Sequence, residues 1–531
     1  MPDPTNLTGI RKSQIFRIRG LKDRLVYPNR DLTPENCIEV SNINFSEQEL
    51  AASRKGKEKF NTTQITDAEP LVGFIQPDFK TGKQILYCTP SYVFTDDGTT
   101  RKNITGSLTP SGNNNNHYSF AFLNDTLVAT NGVDIPFTWN GDYATPTNAA
   151  ALTFAADSTQ FTTCLDIVEH RNTLVILSPT IGGTVQTTRI LWADINTRTF
   201  EVDITRYLNS NRFEIGGIGS TPIIGGLDNW EKLWIMKSDG VYPGRLEFST
   251  GYIEYIPDEE TGAYRGFSPI ARSSFIARPD FIFGIALEGA FVIRKNGEFS
   301  IVTSDIDFSN LFNRNRLQYA ISTTREDDHQ VRTLLASKTN VSAGYDKILV
   351  YDWQTGDISI EDYVQNELSW ISRYEENGEE NDLHASQALG FIYKANVGND
   401  DDGKSIDWTI TMAPNDLGFP GIDKTIHSIV LFYRDVGEGR QSIAIQMVRD
   451  EGSRSSRTKN IDEFGTDLQY DEGHTYDSGL LYPSTGNNSI RWGVNRTANN
   501  IGMRFFGNSI VKLVGYQVYY TIDDTELNTP A

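Results

Sequence analysis

Apolar and polar residues alternate at period two through most of this chain, or run together for four to seven positions before a turn pair interrupts them. That periodicity belongs to β-strands. The segment Lys347-Ile348-Leu349-Val350-Tyr351-Asp352-Trp353-Gln354-Thr355-Gly356-Asp357-Ile358-Ser359-Ile360 shows it plainly: a β-rich run meets a Thr-Gly turn and resumes as alternating Ile. Glycine supplies the positive φ that a tight hairpin turn needs. The same design recurs at residues 92–98, 137–141, 190–196, 233–240 and 291–297. The turn positions 98, 141, 196, 240, 297 and 356 fall 43 to 59 residues apart, and several follow an aromatic residue, often Trp. A four-stranded propeller blade needs about 40 to 50 residues, and one blade cannot bury both faces of its small sheet, so blades stack into a closed ring. The pattern therefore predicts an all-β protein with a β-propeller-like ring of six or seven blades over residues 61–395. A series of ordinary sandwiches would also place hairpins at intervals, without the repeated unit.

After residue 396 the pattern changes to an acidic loop followed by alternating strands at 406–412, 425–433, 442–448 and 510–522, which predicts a separate C-terminal β domain of sandwich type over 396–531. Helix signals are scarce. Ser46 to Ala52 has capping-box spacing with Gly56 as a stop, so this stretch reads equally as a short helix or a strand.

Composition narrows the function. The 531 residues carry 48 Lys+Arg against 69 Asp+Glu, a net charge of −21, which argues against a general nucleic-acid binder. The large side chains, 28 Phe, 23 Tyr and 8 Trp, suffice for buried cores. The first residues lack the apolar run of a secretory signal, and no stretch approaches 18 uninterrupted apolar residues, so no membrane insertion is expected. Cys37, Cys88 and Cys164 lie far apart and read as reduced, buried residues. Against this acidic background, residues 1–30 hold Arg11, Lys12, Arg17, Arg19, Lys22, Arg24 and Arg30 but only Asp3 and Asp23. Residues 1–60 thus read as a basic arm that leads into the ring and docks on an acidic partner or on phosphate, or else as a solvated first strand.

The motifs that would carry chemistry fail on inspection. Gly398 to Ser405 matches a phosphate-binding loop literally, yet three consecutive aspartates would repel phosphate and a strand follows where a helix is needed. The same loop places Gly398 and Thr409 where a calcium-binding EF-hand requires ligands. The six histidines are scattered without metal-ligand spacing. There is no GxSxG elbow, no Cys in a nucleophile context and no sialidase-type Asp-box at Thr95-Asp96-Asp97-Gly98. No catalytic, cofactor-binding or metal residues are assigned, no cofactor is expected, and the chain is not expected to be an enzyme.

One resemblance is more specific. Phe16-Arg17-Ile18-Arg19-Gly20-Leu21, then Asn42-Ile43-Asn44-Phe45 and Arg54-Lys55-Gly56, resembles the start of bacteriophage tail proteins of the nozzle or hub type, in which such elements lead into a propeller. Tyr351-Asp352-Trp353-Gln354-Thr355-Gly356 looks like their last-blade hairpin. Ala388 to Tyr393 with Leu417 to Lys424, and the closing Val514 to Tyr520, look like the passage into and the end of their C-terminal domain. The Arg54-Lys55-Gly56 element departs from the usual form in lacking a following Pro.

The resemblance implies a structural virion protein of a short-tailed, podovirus-like phage, made in the host bacterial cytoplasm and located in the tail. Its implied partners are itself, in a homohexameric ring, the tail adaptor and portal proteins, and a tail fibre, spike or needle. Viral DNA would pass through the lumen during ejection without specific binding. Arg11, Lys12, Arg17, Arg19 and Arg24 are then the expected adaptor-docking residues. The alternative is a glycan-binding or glycan-hydrolysing propeller for receptor recognition, with aromatic side chains and a carboxylate pair at the axis. Trp139, Trp192, Trp234 and Trp353 invite that reading, but aromatics before blade turns more often pack between blades.

Overall fold

The computed structural model describes residues 10–522 except 13–15, 23–34, 47–49, 142–147, 196–200, 218–219, 250–251, 259–261, 364–366, 418, 420–422, 435–440, 450–453, 462–486, 499 and 509. Among these residues the chain forms seven small antiparallel blade sheets, each with a four-strand path from the inside of a ring outwards. Blade 1 is Gly73–Ile75, Ile85–Cys88, Val93–Asp96 and Arg101–Asn103. Blade 2 is Ser119–Leu123, Thr126–Thr130, Phe137–Trp139 and Ala150–Ala151. Blade 3 is Thr163–His170, Thr173–Ile181, Arg189–Trp192 and Arg212–Glu214, and blade 4 is Ile223–Asn229, Lys232–Lys237, Gly240–Ser249 and Tyr252–Pro257. Blade 5 is Ile276–Ala277, Phe281–Ala286, Gly289–Arg294 and Phe299–Ile301, and blade 6 is Ile321–Arg325, Gln330–Leu335, Lys347–Asp352 and Ile358–Asp362.

Blade 7 differs in origin. Leu368–Glu376, Glu379–Ser386 and Ile392–Ala395 supply three strands, and the outermost, Lys57–Lys59, comes from the N-terminal side of the propeller. The innermost strands of neighbouring blades touch around the circle, blade 7 against blade 1 included, and Tyr118 N donates to Val72 O (2.8 Å) between blades 1 and 2. The ring is thus closed by pairing residues 57–59 with residues 393–395.

Each gap between blades is filled by apolar side chains, as stacking of one-sided sheets requires. Leu86 and Val93 meet Leu127 and Trp139 between blades 1 and 2. Ala121 and Val128 meet Leu174, Ile176 and Leu191 between blades 2 and 3. Val175 and Trp192 meet Ile235 and Leu246 next, then Trp234 and Met236 meet Ile282 and Phe291. Blade 7 packs its Trp370 and Leu383 with Ile348 of blade 6 and Tyr87 of blade 1. Trp139, Trp192 and Trp234 are therefore inter-blade packing, in line with the sequence expectation.

Two larger sheets form the sandwich. The first runs Asn487–Ala498, Lys424–Arg434, Lys512–Ile522, Leu50–Ser53 and Ile43–Ser46, with Ile10–Lys12 and Phe16–Arg17 also paired to Lys512–Ile522. The second runs Arg19–Leu21, Asn36–Ser41, Trp408–Met412, Ile501–Gly507, Gln441–Arg449 and Arg454–Ile461. Ile429, Leu431, Trp492 and Val518 of the first share one buried cluster with Val40, Ile410, Ile445 and Phe505 of the second.

Three sequence expectations change here. The segment set apart as an N-terminal arm contributes strands to both sheets of the C-terminal sandwich, because Ile18, Leu21, Val40, Ile43 and Phe45 need the same core as the C-terminal strands. Of the helix and strand readings of Ser46 to Ala52, the described residues on either side of 47–49 take the strand, Ile43–Ser46 paired with Leu50–Ser53: Phe45 and Ala51 sit opposite each other in register and are both buried. Of the recurring turns, Gly98, Gly141, Gly297 and Gly356 follow the third strands of blades 1, 2, 5 and 6, whereas Gly240 opens the third strand of blade 4. The turn expected at Asn196 lies outside the described residues.

Antiparallel order sets which loops share a face. The turn between second and third strands of a blade lies at the same end as the connection that enters that blade. Hydrogen bonds join these loops in pairs: Ser111 N to Asp134, Thr221 Oγ1 to Asp239, Ser268 N to Glu288, Asn313 N to Ala336 O and Gln387 N to Glu367 O. We call this the entry face and its opposite the exit face.

Candidate functional site

The most concentrated group of buried ionisable side chains among the described residues lies where sandwich and propeller meet. It starts from the two short elements Asn42 to Phe45 and Arg54 to Gly56. Asn42 adopts a left-handed backbone (φ 57°), which Asn tolerates better than most residues. Its N–H donates to Ile360 O (2.9 Å), its Oδ1 accepts from Asp362 N (2.8 Å) and from Arg54 Nε (2.8 Å), and its Nδ2 donates to Asp407 O (2.7 Å). One side chain thus ties blade 6, Arg54 and the start of the C-terminal segment together.

Arg54, buried, forks onto both oxygens of Asp401 (2.9 and 2.6 Å) and lies over the Tyr363 ring, 4.3 Å from its centroid. Beside it, Arg332 of blade 6 is bonded to Glu361 and to Asp382 (3.0 Å). Glu361 also accepts from Asn44 Nδ2 (3.0 Å) and from the Tyr363 hydroxyl (3.1 Å). Burial opposes the charge on both arginines, but Tyr363, Asp401 and Glu361 around Arg54, and Glu361 and Asp382 around Arg332, keep both more firmly protonated than usual. Burial likewise works against the Glu361 carboxylate, yet Arg332 and Arg54 hold its pKa below the ordinary value. For Asp382 burial wins over Arg332 and the pKa rises. His384 is kept neutral by burial and by the nearby cations Arg332, Lys57, Arg54 and Arg325.

The closing strand enters the same cluster. Lys57 Nζ sits over the rings of Tyr363 (5.0 Å) and Tyr393 (4.7 Å), and burial lowers its pKa to about 8. Gly56 is required by its surroundings, since a Cβ there would stand 1.8 Å from Asp400 O. The backbone pairs on through Lys57 N to Asp400 O (2.9 Å) and Asp402 N to Lys57 O (2.9 Å). The acidic Gly398 to Ser405 loop therefore has a role that its phosphate-loop likeness did not suggest. It latches the strand that closes the ring and gives Arg54 its carboxylate.

The apolar side of the junction is continuous with this clasp. Ile18, Leu21, Ile43 and Phe45 of the sandwich share one cluster with Phe283, Val292, Leu349, Tyr351, Ile358 and Ile360 of blades 5 and 6. Gly20 N donates to Asp357 Oδ1 (3.1 Å), and a Cβ on Gly20 would crowd that atom at 2.8 Å.

The basic residues singled out in the sequence are spread along this sandwich. Arg11 and Lys12 lie on a strand paired to Tyr520 and Tyr519, and Arg17 is exposed on the strand paired to Gly515. Arg19 is exposed and pairs with Glu35 (3.1 Å), and Lys22 reaches Asp305 beyond blade 5 (3.1 Å). Arg24 lies outside the described residues. Arg11, Lys12 and Arg17 thus share one run of short strands along Lys512–Ile522, while Arg19 sits on the other sheet.

At the propeller axis, the entry-face end is occupied by His117, which contacts Trp370 (5.2 Å) and Tyr319 (6.3 Å), with Arg272 donating to His117 O. Burial, aided by Arg272, lowers the His117 pKa to about 3. Trp353 is partly buried beneath Arg278, whose guanidinium lies 4.0 Å from the ring centroid. Cys37, Cys88 and Cys164 are free and buried, and burial raises each thiol pKa. Among the described residues no group of three or more His, Cys, Asp or Glu is arranged to hold a metal, and no helix is long and apolar enough to cross a membrane. Reading the sequence alone did not single out the clasp as a site. Its signals are the Asn42 to Phe45 and Arg54 to Gly56 elements, whose partners lie more than 300 residues away.

No family model and no curated protein matches the chain. Solved structures similar to it include the computationally designed Ika8 protein, with 11% identity over 72% of this chain and 100% of that one at a TM-score of 0.37. BBS1N in complex with ARL6DN is similar at 10% identity over 66% of this chain and 98% of that one, TM-score 0.37. BamB from Moraxella catarrhalis is similar at 11% identity over 73% and 97% of the two chains, TM-score 0.33. Likeness of this degree carries nothing about function.

Proposed function

We propose that this chain is a structural subunit of a bacteriophage tail, forming the nozzle or hub ring that attaches below the portal and adaptor, closes the DNA channel and passes DNA during ejection. The observation that carries the reading is the clasp. Asn42 to Phe45 and Arg54 to Gly56, two of the elements on which the family resemblance rests, meet in one buried network that fastens the sandwich to the closing strand of the propeller. A chain whose two domains share both an apolar core and an ion network transmits load as one body, which suits a mechanical part.

Two further features support the reading. The net charge of −21 suits a passage through which DNA must slide without counterion-release binding. The strands carrying Arg11, Lys12 and Arg17 line one edge of the sandwich, and this edge is our docking surface for the adaptor, with Arg19 beside it and Arg24 following in sequence. On this reading the protein works without cofactor or catalytic residues and resides in the virion.

The test is quantitative mass spectrometry of gradient-purified virus particles, scaling peptides of this chain to the major capsid protein. About six copies per particle is the expected result, since closed ring symmetry fixes such counts. Absence from the particles would remove the proposal.

A further inference from the structure

Five large apolar side chains are exposed among the described residues: Val133 (42%), Ile135 (46%), Val185 (56%), Val341 (93%) and Leu389 (45%). All five sit in connections between the second and third strands of a blade, in blades 2, 3, 6 and 7, and so on the entry face. Three of them belong to entry-face loops of the adjacent blades 2 and 3. Val133 and Ile135 border a cleft of about 500 Å³ that Leu108, Pro110, Tyr118 and Phe137 also line.

The charge around these loops is unusual for the chain. Across residues 104–118, 131–136 and 182–188, which supply entry-face loops of blades 2 and 3, Asp134 is the one residue of type Asp, Glu, Lys or Arg; the flanking entry-face loops carry Asp67 and Glu69 before blade 1 and Asp239 in blade 4. The Asp134 carboxylate is already satisfied by Ser111 N (2.7 Å), Ser111 Oγ (2.5 Å) and Asn131 Nδ2 (2.7 Å). The connection 152–162 into blade 3 adds Asp157, which is neutralised by Arg206 (2.8 Å). The exit face is the opposite. There Arg278 meets Glu326, Arg373 meets Glu326 (3.8 Å) and Glu380 (2.9 Å), and Lys83 meets Glu375 (2.5 Å).

We propose that the entry face over blades 2 and 3 is the surface through which one copy of this chain meets a second copy. Each copy carries −21, so two copies repel wherever acidic surface faces acidic surface. The cores of protein interfaces are depleted in charge, and a rimmed apolar patch on an otherwise polar surface marks a contact site. The loops with Val133, Ile135 and Val185 meet both conditions, and the cleft that Val133 and Ile135 border offers a socket for an aliphatic side chain of the neighbour. The inference rests on the ring reading, because it names the contact from which a ring is built.

Sedimentation velocity of the full chain tests it. Wild type is expected to sediment as an oligomer, and the V133D/I135D/V185D variant as a monomer with unchanged circular dichroism and melting temperature. V341D/L389D, altered at the same face but over blades 6 and 7, is expected to keep the wild-type oligomer. Should the triple variant melt lower than wild type, V185D alone carries the test, since its side chain is 56% exposed on a turn. An oligomer that survives these substitutions, dissociation by V341D/L389D instead, or a wild-type chain that stays monomeric at its highest soluble concentration would each overturn the inference. Six copies per particle together with an unaffected oligomer would sink this contact and leave the tail assignment standing. Oligomer loss in the triple variant with no copies in particles would do the reverse.

Discussion

Blades 2 and 3 and blades 6 and 7 have the same four-strand plan but are joined by different means. Between blades 2 and 3 the layer is Ala121, Val128, Leu174, Ile176 and Leu191, with Phe161 and Tyr207 at its side. Between blades 6 and 7 there is an apolar layer too, around Ile348 and Trp370, and beside it lie Arg332, Glu361 and Asp382, each at most 2% exposed. Apolar layers hold blades together anywhere in the ring, and they are tolerant of small slips because dispersion has no direction. Charged hydrogen bonds have direction. The buried set Arg332, Glu361 and Asp382 lies where a blade must also receive a strand from a distant part of the chain and a second domain, so that position and not only adhesion has to be specified.

The sharpest way to break this comparison is to remove the central cation. Arg332→Met leaves Glu361 and Asp382 buried without their partner and is expected to cost about 4 kcal/mol, the range for one half of a buried ion pair. Hydrogen exchange should rise first at residues 57–59 and 392–395, ahead of blades 2 and 3. Adding Glu361→Gln and Asp382→Asn to that variant should return much of the loss, because a neutral cluster no longer carries uncompensated charge. Urea unfolding of the three proteins gives the comparison. An Arg332→Met protein as stable as wild type would show that the network contributes nothing to closure.

The apolar seam makes the second test. Leu191→Ala, at a fully buried position, should cost about 3 kcal/mol through lost transfer energy and the cavity left behind. Here exchange should rise across blades 2 and 3 and leave residues 57–59 no more exposed than the global loss of stability requires. Preferential opening of the closing strand in this variant would erase the distinction between the two seams.

The smallest expected effect is the pH response of Lys57. Its pKa is about 8 in the folded chain against an ordinary 10.5, so between those values the unfolded state binds more protons and stability rises with pH. The effect is read as the difference between wild type and Lys57→Met, since Tyr363 and Tyr393, raised by burial, titrate at the alkaline end in both proteins. That difference should change by about 2 kcal/mol from pH 7.5 to pH 10 in favour of wild type. A flat difference would place Lys57 in effective contact with water.

How much of this was legible in the sequence follows from where the partners lie. Local hairpins were readable because turn and strands are adjacent: Lys347–Asp352 and Ile358–Asp362 pair across Gly356 as the alternation predicts. Blade 7 was not, because its outer strand is the three residues Lys57–Lys59, too short and too charged to show a period. The sandwich was half legible. Its strands at 424–434 and 512–522 alternate clearly, but nothing local tells that Ile10–Lys12 pairs with residues 519–521. The basic run at the N-terminus drew attention by contrast in charge, and charge does not reveal which sheet a strand joins. The clasp was the least legible of all, since its residues come from positions 42–57, 332–384 and 401.

The closing strand has a consequence for the order in which the molecule can be completed during synthesis. Residues 57–59 leave the ribosome long before residues 393–395 and must wait for them before they have a partner, and Ile10 must wait for Thr521. Until then the six earlier blades can stack on one another while Ile18, Leu21, Ile43 and Phe45 have no core to enter. Contacts of such long sequence separation are slow to form and leave apolar strands exposed meanwhile. A chain truncated before residue 392 should therefore accumulate in aggregates, whereas one that extends through residue 522 holds both partners of each pairing.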